Sequence, residues 1–149
     1  MDKRIRVLVA DDHEPFRRAF AHLLSLDPDI DVVGQASTGR EACELAEDLQ
    51  PDVVFLDLMM PEMDGAEATR ELKRRFPDIK VLILSVFGQE AYVRKGLEAG
   101  ADRYLTKGIS RMELLAAAKA VAAEPPRSDR AQERTPVTGI FRDNPDPAE

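Results

Sequence analysis

Four places in the chain set charged or hydroxyl residues behind short apolar runs: Asp11 and Asp12 after Ile5–Ala10, Asp57 after Val53–Leu56, Ser85 after 81–84 and Lys107 past 103–105. A carboxylate that follows an apolar run must be solvated, paired or metal-bound. Adjacent carboxylates attract a hard cation, and an oxygen-only ligand set points to Mg²⁺, or Mn²⁺. Taken singly, each residue has a plain reading. Asp11 or Asp12 caps the following helix, Asp57 caps a turn, Ser85 bonds backbone at a strand end, and Lys107 is a solvated loop lysine. Taken together they are the parts for phosphoryl transfer onto a carboxylate. Asp57 would be the nucleophile that becomes an aspartyl phosphate. Asp11, Asp12 and Asp57 would hold the metal, while Lys107 and Ser85 would hold the phosphoryl oxygens, because such transfer is largely positioning plus charge neutralisation.

The elements that must bring these residues together are legible as an alternation. The runs at Ile5–Ala10, Ile30–Ala36, Val53–Leu56, 81–84 and 103–105 read as strands, and the first, third and fourth are apolar enough for central strands of a parallel sheet. Between them apolar residues recur at helical spacing: Phe16, Phe20 and Leu23/Leu24; Ala42, Leu45, Ala46 and Leu49; Ala68, Leu72 and Phe76; Val93 and Leu97; Leu114, Leu115, Ala118 and Val121. Pro28, Pro51, Pro77 and Gly100 mark the returns. Five βα units predict an α/β fold, a doubly wound parallel sheet with right-handed crossovers. In that architecture residues beyond the carboxyl ends of the strands share one rim. The acidic stretch 11–14 stands where a nucleotide-binding fold carries a glycine-rich turn, and its charge excludes a dinucleotide site.

Composition narrows the function classes. The 149 residues are 44% hydrophobic and 33% charged, which suits one soluble domain. A net charge of −7 opposes autonomous nucleic-acid binding. The single cysteine, Cys43, leaves no intrachain disulfide and suits a cytoplasmic location. No apolar run reaches membrane-spanning length, and no targeting signal is read. Five of the 10 prolines fall in 124–149, so residues 1–123 are read as the folded unit and 124–149 as a flexible, Pro-rich tail. The apolar cluster 137–142 in that tail is read as solvated, with docking on a sheet edge as the alternative.

Asp11-Asp12, Asp57 followed by Met60-Pro61-Glu62-Met63-Asp64-Gly65, Ser85, and Tyr104 with Lys107 together resemble the receiver domain of bacterial two-component response regulators. The resemblance runs from Lys3 to about Ala123. Gly34, Gly39-Arg40-Glu41-Ala42 and Gly96-Leu97-Glu98-Ala99-Gly100-Ala101 are further similar to receivers of the LuxR-type branch. The resemblance implies a flavodoxin-like fold with strand order 2-1-3-4-5. It implies Asp57 as phosphoacceptor; Asp12, Asp57 and the Met59 backbone carbonyl as Mg²⁺ ligands; and Asp11 acting mostly through water. Lys107 would pair with the phosphoryl group, Ser85 would move to bond it, and Tyr104 would turn inward as the hydroxyl vacates its space. The donor would be a phosphohistidine on a sensor histidine kinase or phosphotransfer protein. His13 and His22 are left as surface residues.

Two departures stand out. Gly108 follows the lysine where many receivers have proline, often with a cis peptide, and the residues after Ala123 have neither the length nor the pattern of a helix-turn-helix domain. The expectation is a stand-alone receiver, not an enzyme in the ordinary sense, that signals to a protein partner. The alternative is the receiver portion of a DNA-binding transcriptional regulator whose output domain is absent. A phosphatase of the haloacid dehalogenase type would need a second acid at Met59, a receiver surface that binds DNA is opposed by the charge, and a phosphorylation-independent binding module is opposed by intact Asp12, Asp57 and Lys107. Gly96 weakens the fourth helix by about 1 kcal/mol relative to Ala, so residues 89–99 are expected to be easily displaced. The surface of that helix, 103–105 and 110–123 is expected to change on phosphorylation and to meet the partner or a second copy. Met59 and Phe87 would border the hydrolytic water, and neither can position it by a strong hydrogen bond. Slow self-dephosphorylation follows, unless Phe87 turns outward.

Overall fold

A computed structural model of the chain describes residues 3–126. The apolar cluster 137–142 lies outside the described residues. Five strands, β1 (Ile5–Ala10), β2 (Ile30–Ala36), β3 (Val53–Leu56), β4 (Lys80–Ser85) and β5 (Arg103–Thr106), alternate with five helices, α1 (Glu14–Ser25), α2 (Gly39–Leu49), α3 (Gly65–Arg75), α4 (Glu90–Glu98) and α5 (Arg111–Ala123). The strands form one parallel sheet in the order β2-β1-β3-β4-β5.

The period of two along each strand divides the core into two layers. Val7, Val9, Val53, Phe55, Leu82, Leu84 and Leu105 pack with Phe20 and Leu24 of α1 and Leu114, Ala118 and Val121 of α5. Their neighbours Leu8, Ala10, Val54, Leu56, Val81, Ile83 and Tyr104 pack with Ala42, Ala46, Leu72 and Val93 of α2, α3 and α4. Continuous apolar runs in β3 and β4 are thus explained by burial on both faces. With β1 between β2 and β3, the chain leaves β1 toward one layer and β3 toward the other. The crevice that opens there is the place where such sheets gather functional groups.

Boundaries differ from the hydropathy pattern where polar residues extend a strand and at the ends of α4. β4 begins at Lys80 and ends at Ser85 rather than running 81–84, and β5 continues to Thr106, which is paired with Ser85. α4 is one residue shorter at each end than 89–99. Thr38, Asp64 and Ser110 cap α2, α3 and α5 through their side chains, the last two as reciprocal capping boxes with Glu67 and Glu113. Neither Asp11 nor Asp12 caps α1, the plain reading of each taken singly. The N-cap is His13, with no side-chain bond, and Asp11 Oδ1 instead accepts the His13 backbone N–H at 2.8 Å. The Asp11 carboxylate is thereby turned to the rim.

α5 ends at Ala123, and Glu124 is still held to the sheet. Arg103 pairs with its side chain, and the buried Lys80 ammonium donates to the carbonyls of Val121 and Glu124. These contacts carry the fold's interactions one residue past 1–123. No helix among the described residues is long and apolar enough to cross a membrane.

Candidate functional site at the carboxyl end of the sheet

Backbone bonds fix the two acidic loops first. The Asp11 N–H donates to Ala36 O at 3.0 Å and the Asp57 N–H to Ala10 O at 2.9 Å, so the two aspartates leave neighbouring strands at the same level. Below Asp57, α3 closes against its own loop. A Cβ on Gly65 would stand 2.3 Å from the Asp57 carbonyl oxygen and 2.8 Å from Leu58 Cα, so only glycine allows this approach. The Gly65 N–H completes the loop by donating to Leu58 O at 2.8 Å.

Side chains then converge. Carboxylate oxygens of Asp11, Asp12 and Asp57 lie within 4.8 Å of one another. Lys107 Nζ is 2.9 Å from Asp11 Oδ2 and 3.7 Å from Asp57 Oδ1. Three acids thus face one ammonium. Burial and then the Asp11 charge push the Asp57 carboxyl up from 3.8 to about 6, against the pull of Lys107. Only 11% of the Asp57 side chain is exposed, so water does little to relieve it.

A hard dication fits this donor set. The ligand atoms are carboxylate oxygens, their charge is under-compensated, and Asp12 is exposed. Asp11 is already committed at both oxygens, to the His13 N–H and to Lys107, which suits action through water better than direct ligation. Met59, two residues past Asp57 in the same loop, is half exposed. The Cys43 thiol is no competing nucleophile, since burial pushes it up to about 11.

The other side of the crevice is built from β4 and β5. The Lys107 N–H donates to Ser85 O at 2.8 Å, which ties the lysine loop to β4 although Gly108 follows; no described peptide bond is cis. The Ser85 hydroxyl is buried and accepts the Phe87 N–H at 3.0 Å. Tyr104 lies inward and is fully buried, its hydroxyl donating to Phe87 O at 2.6 Å. Burial raises its pKa and keeps it a donor. The Phe87 ring stacks on Tyr92 of α4 with centroids 4.7 Å apart. A Cβ on Gly96 would stand 2.7 Å from Ile83 Cδ1 and 2.9 Å from Tyr104 Cδ2. Gly96 is therefore clearance for the inward ring, a role beyond the helix weakness read from its type.

Asp11, Asp12, Asp57 and Lys107 come together at the carboxyl end of the sheet, and Ser85 is joined to Lys107 through its backbone carbonyl. Sequence reasoning missed Phe16 and Arg17 of α1. Lys107 Nζ lies 4.1 Å from the centroid of the Phe16 ring, and Arg17 donates to Asp11 O at 3.1 Å. Phe16 reads simply as part of the helix's apolar stripe, and nothing local signals that its ring face meets a cation from the loop after β5.

Comparison with known proteins gives one picture. The sequence profile of the response regulator receiver domain matches residues 7–119. The chain is 40% identical over 121 residues to the transcriptional regulatory protein DegU of Brevibacillus brevis, covering 81% of this chain and 51% of DegU. It is 43% identical over 110 residues to the response regulator protein VraR of Staphylococcus aureus, covering 74% of this chain and 53% of VraR. The signal receiver domain of NarL from Mycobacterium tuberculosis superposes with a TM-score of 0.77 at 37% identity, over 80% of this chain and 97% of that domain. The chain spans about half the length of the two curated relatives.

Proposed function

The chain belongs to the response regulator receiver domain family, and on that premise we propose that it is a phosphorylation switch whose acceptor is Asp57. The observation that carries this reading is a part-buried Asp57 carboxylate, its pKa pushed up to about 6, with two further acids beside it and Lys107 at 3.7 Å. One Asp57 oxygen attacks the phosphorus of a phosphohistidine on a sensor histidine kinase or phosphotransfer protein. The O–P bond forms as the P–N bond breaks; the electron pair leaves on the imidazole nitrogen, which takes a proton from solvent. Lys107 and Ser85 hold the phosphoryl oxygens. Asp12, Asp57 and the Met59 carbonyl, with Asp11 through water, would hold Mg²⁺ or Mn²⁺, which supplies neutralisation of the charge on those oxygens. The domain thus promotes its own phosphorylation and dephosphorylation, in the cytoplasm, without being an enzyme for a separate substrate.

The output surface in this reading is α4, β5 and α5, reached from Ser85 through Phe87 and Tyr104. It would meet a protein partner or a second copy. Residues 1–123 would be the working unit, with 124–149 dispensable for phosphorylation. Intact mass after treatment with acetyl phosphate and Mg²⁺ tests the assignment: one phosphoryl group is expected, lost in Asp57→Ala and in EDTA. A phosphoryl group retained by Asp57→Ala overturns it. Hydrogen exchange of α4 and β5 that is identical with and without beryllofluoride would remove the output surface.

A second reading is favoured by length alone. The relatives include a transcriptional regulatory protein about twice as long as the matched region, so the chain would be the receiver portion of a DNA-binding regulator. The coding sequence beyond Glu149 decides between them. On either reading this segment itself binds no DNA, and a salt-dependent shift of duplex DNA would contradict that.

A further inference from the structure

We infer that Phe16 is a positioning residue for the phosphoryl clamp, its ring face holding the Lys107 ammonium beside Asp11 and Asp57. The inference rests on the reading of Lys107 as the cation that meets the phosphoryl group. Lysine is a point charge on a flexible four-carbon stem, and ordering that stem is entropically costly. Here the start of the stem is fixed by the bond from the Lys107 N–H to Ser85 O. Its end has Asp11 at 2.9 Å, Asp57 at 3.7 Å and the Phe16 centroid at 4.1 Å. Three contacts surround the ammonium, and only 17% of the lysine side chain remains exposed.

The ring can act as a wall because it is itself held. Phe16 stacks on Phe20 with centroids 5.6 Å apart, and Phe20 meets Phe55 of β3 edge-on at 5.2 Å, inside the core layer beneath α1. The next residue along the helix, Arg17, donates to the Asp11 carbonyl and to Gln35 Oε1. Consecutive residues of α1 therefore grip both members of the Asp11–Lys107 pair. A π face attracts a cation without fixing its direction, unlike a carboxylate. It lets the ammonium move from Asp11 toward an oxygen on Asp57 without ever being released to solvent.

Substitution at Phe16 in the full chain separates the π face from the volume. With acetyl phosphate at saturating Mg²⁺, Phe16→Leu should slow phosphorylation of Asp57 about three- to fivefold, the range of a partly desolvated cation–π contact. Trifluorophenylalanine at position 16 keeps the shape and weakens the quadrupole, and it should slow the reaction similarly. Phe16→Tyr should recover most of the rate. Mg²⁺ affinity, titrated without a phosphoryl donor, should change less than the rate. A readout independent of phosphorylation is the ring-current upfield shift of the Lys107 ε-methylene protons, present in wild type and lost in Phe16→Leu. The inference is overturned if that shift is absent in wild type, if the fluorinated protein reacts at the wild-type rate, or if Phe16→Tyr is as slow as Phe16→Leu. Failure of wild type to accept a phosphoryl group would instead sink the function reading, and the ε-methylene shift would still decide the placement of Lys107.

Discussion

The two ends of the sheet treat charge in opposite ways. At the amino end, Asp102 is fully buried and receives Lys73 Nζ at 2.9 Å and the Val81 N–H at 2.8 Å. Nearby, Lys80 takes the last carbonyls of α5, and Arg103 pairs with Glu124. There the carboxylates meet cations and the Lys80 ammonium meets helix-end carbonyls, and the result holds helices to strands. At the carboxyl end, Asp11, Asp12 and Asp57 converge on Lys107, and the Asp57 carboxyl is pushed up to about 6. Both ends are built by the same strands. The difference teaches that burial of charge is structural where it is balanced, and chemical where it is left in excess of one sign.

The sharpest contrast comes from removing one charge at each end. Lys73→Met should destabilise the protein by about 3–5 kcal/mol in denaturant unfolding, because the Asp102 carboxylate stays buried without its cation. Asp57→Asn should act in the other direction. The folded-state pKa lies above the ordinary 3.8, so the contribution of Asp57 to stability is present in full below 3.8 and is lost as pH rises through about 6. The substitution should flatten that fall and add up to about 3 kcal/mol at neutral pH. If Asp57→Asn destabilises and Lys73→Met does not, the contrast between the ends is wrong.

Smaller effects test how the carboxyl end is wired to α4. Helix propensity alone makes Gly96→Ala stabilising by about 1 kcal/mol. The close approach of Ile83 and Tyr104 predicts the reverse, a net loss of about 1 kcal/mol from overpacking, smaller in a Tyr104→Ala background. A stabilised single variant would return Gly96 to a mere weak point in the helix. The least effect is expected at Phe87, whose ring is engaged with Tyr92. Loss of phosphate should be slow in wild type and faster in Met59→Asn, and little changed in Phe87→Ala. An unchanged rate in Met59→Asn would remove that side chain from control of the water, and a faster loss in Phe87→Ala would restore the Phe87 ring as a cover over its path.

Much of this was legible because hydropathy and chemistry agree. β1, β2 and β3 run as their apolar patterns indicate, and a carboxylate, hydroxyl or ammonium at a strand end is conspicuous after such a run. The hydropathy pattern makes β4 short because Lys80 and Ser85 are polar, yet Lys80 is buried by its bonds to α5 and Ser85 by the lysine loop and Phe87. Contacts between distant elements left no local trace. The Lys73–Asp102 pair joins residues 29 apart, the Arg103–Glu124 pair spans β5 and the end of α5, and the Phe16 contact depends on where α1 lies over the rim. Asp11 misled as a cap candidate because its carboxylate does bond a backbone N–H, that of the N-cap His13 rather than one inside the helix. Gly96 was conspicuous by type, but only the packed Tyr104 ring gives its reason.

The most direct measurement is the titration of the Asp57 carboxyl carbon by NMR, with and without Mg²⁺. A midpoint near 6 without the metal, falling below the ordinary carboxylate value when Mg²⁺ is added, is the predicted result. A midpoint near 3.8 that Mg²⁺ does not move would contradict it, since Asp57 would then be an ordinary solvated acid with no excess charge for a cation or a phosphoryl group to answer.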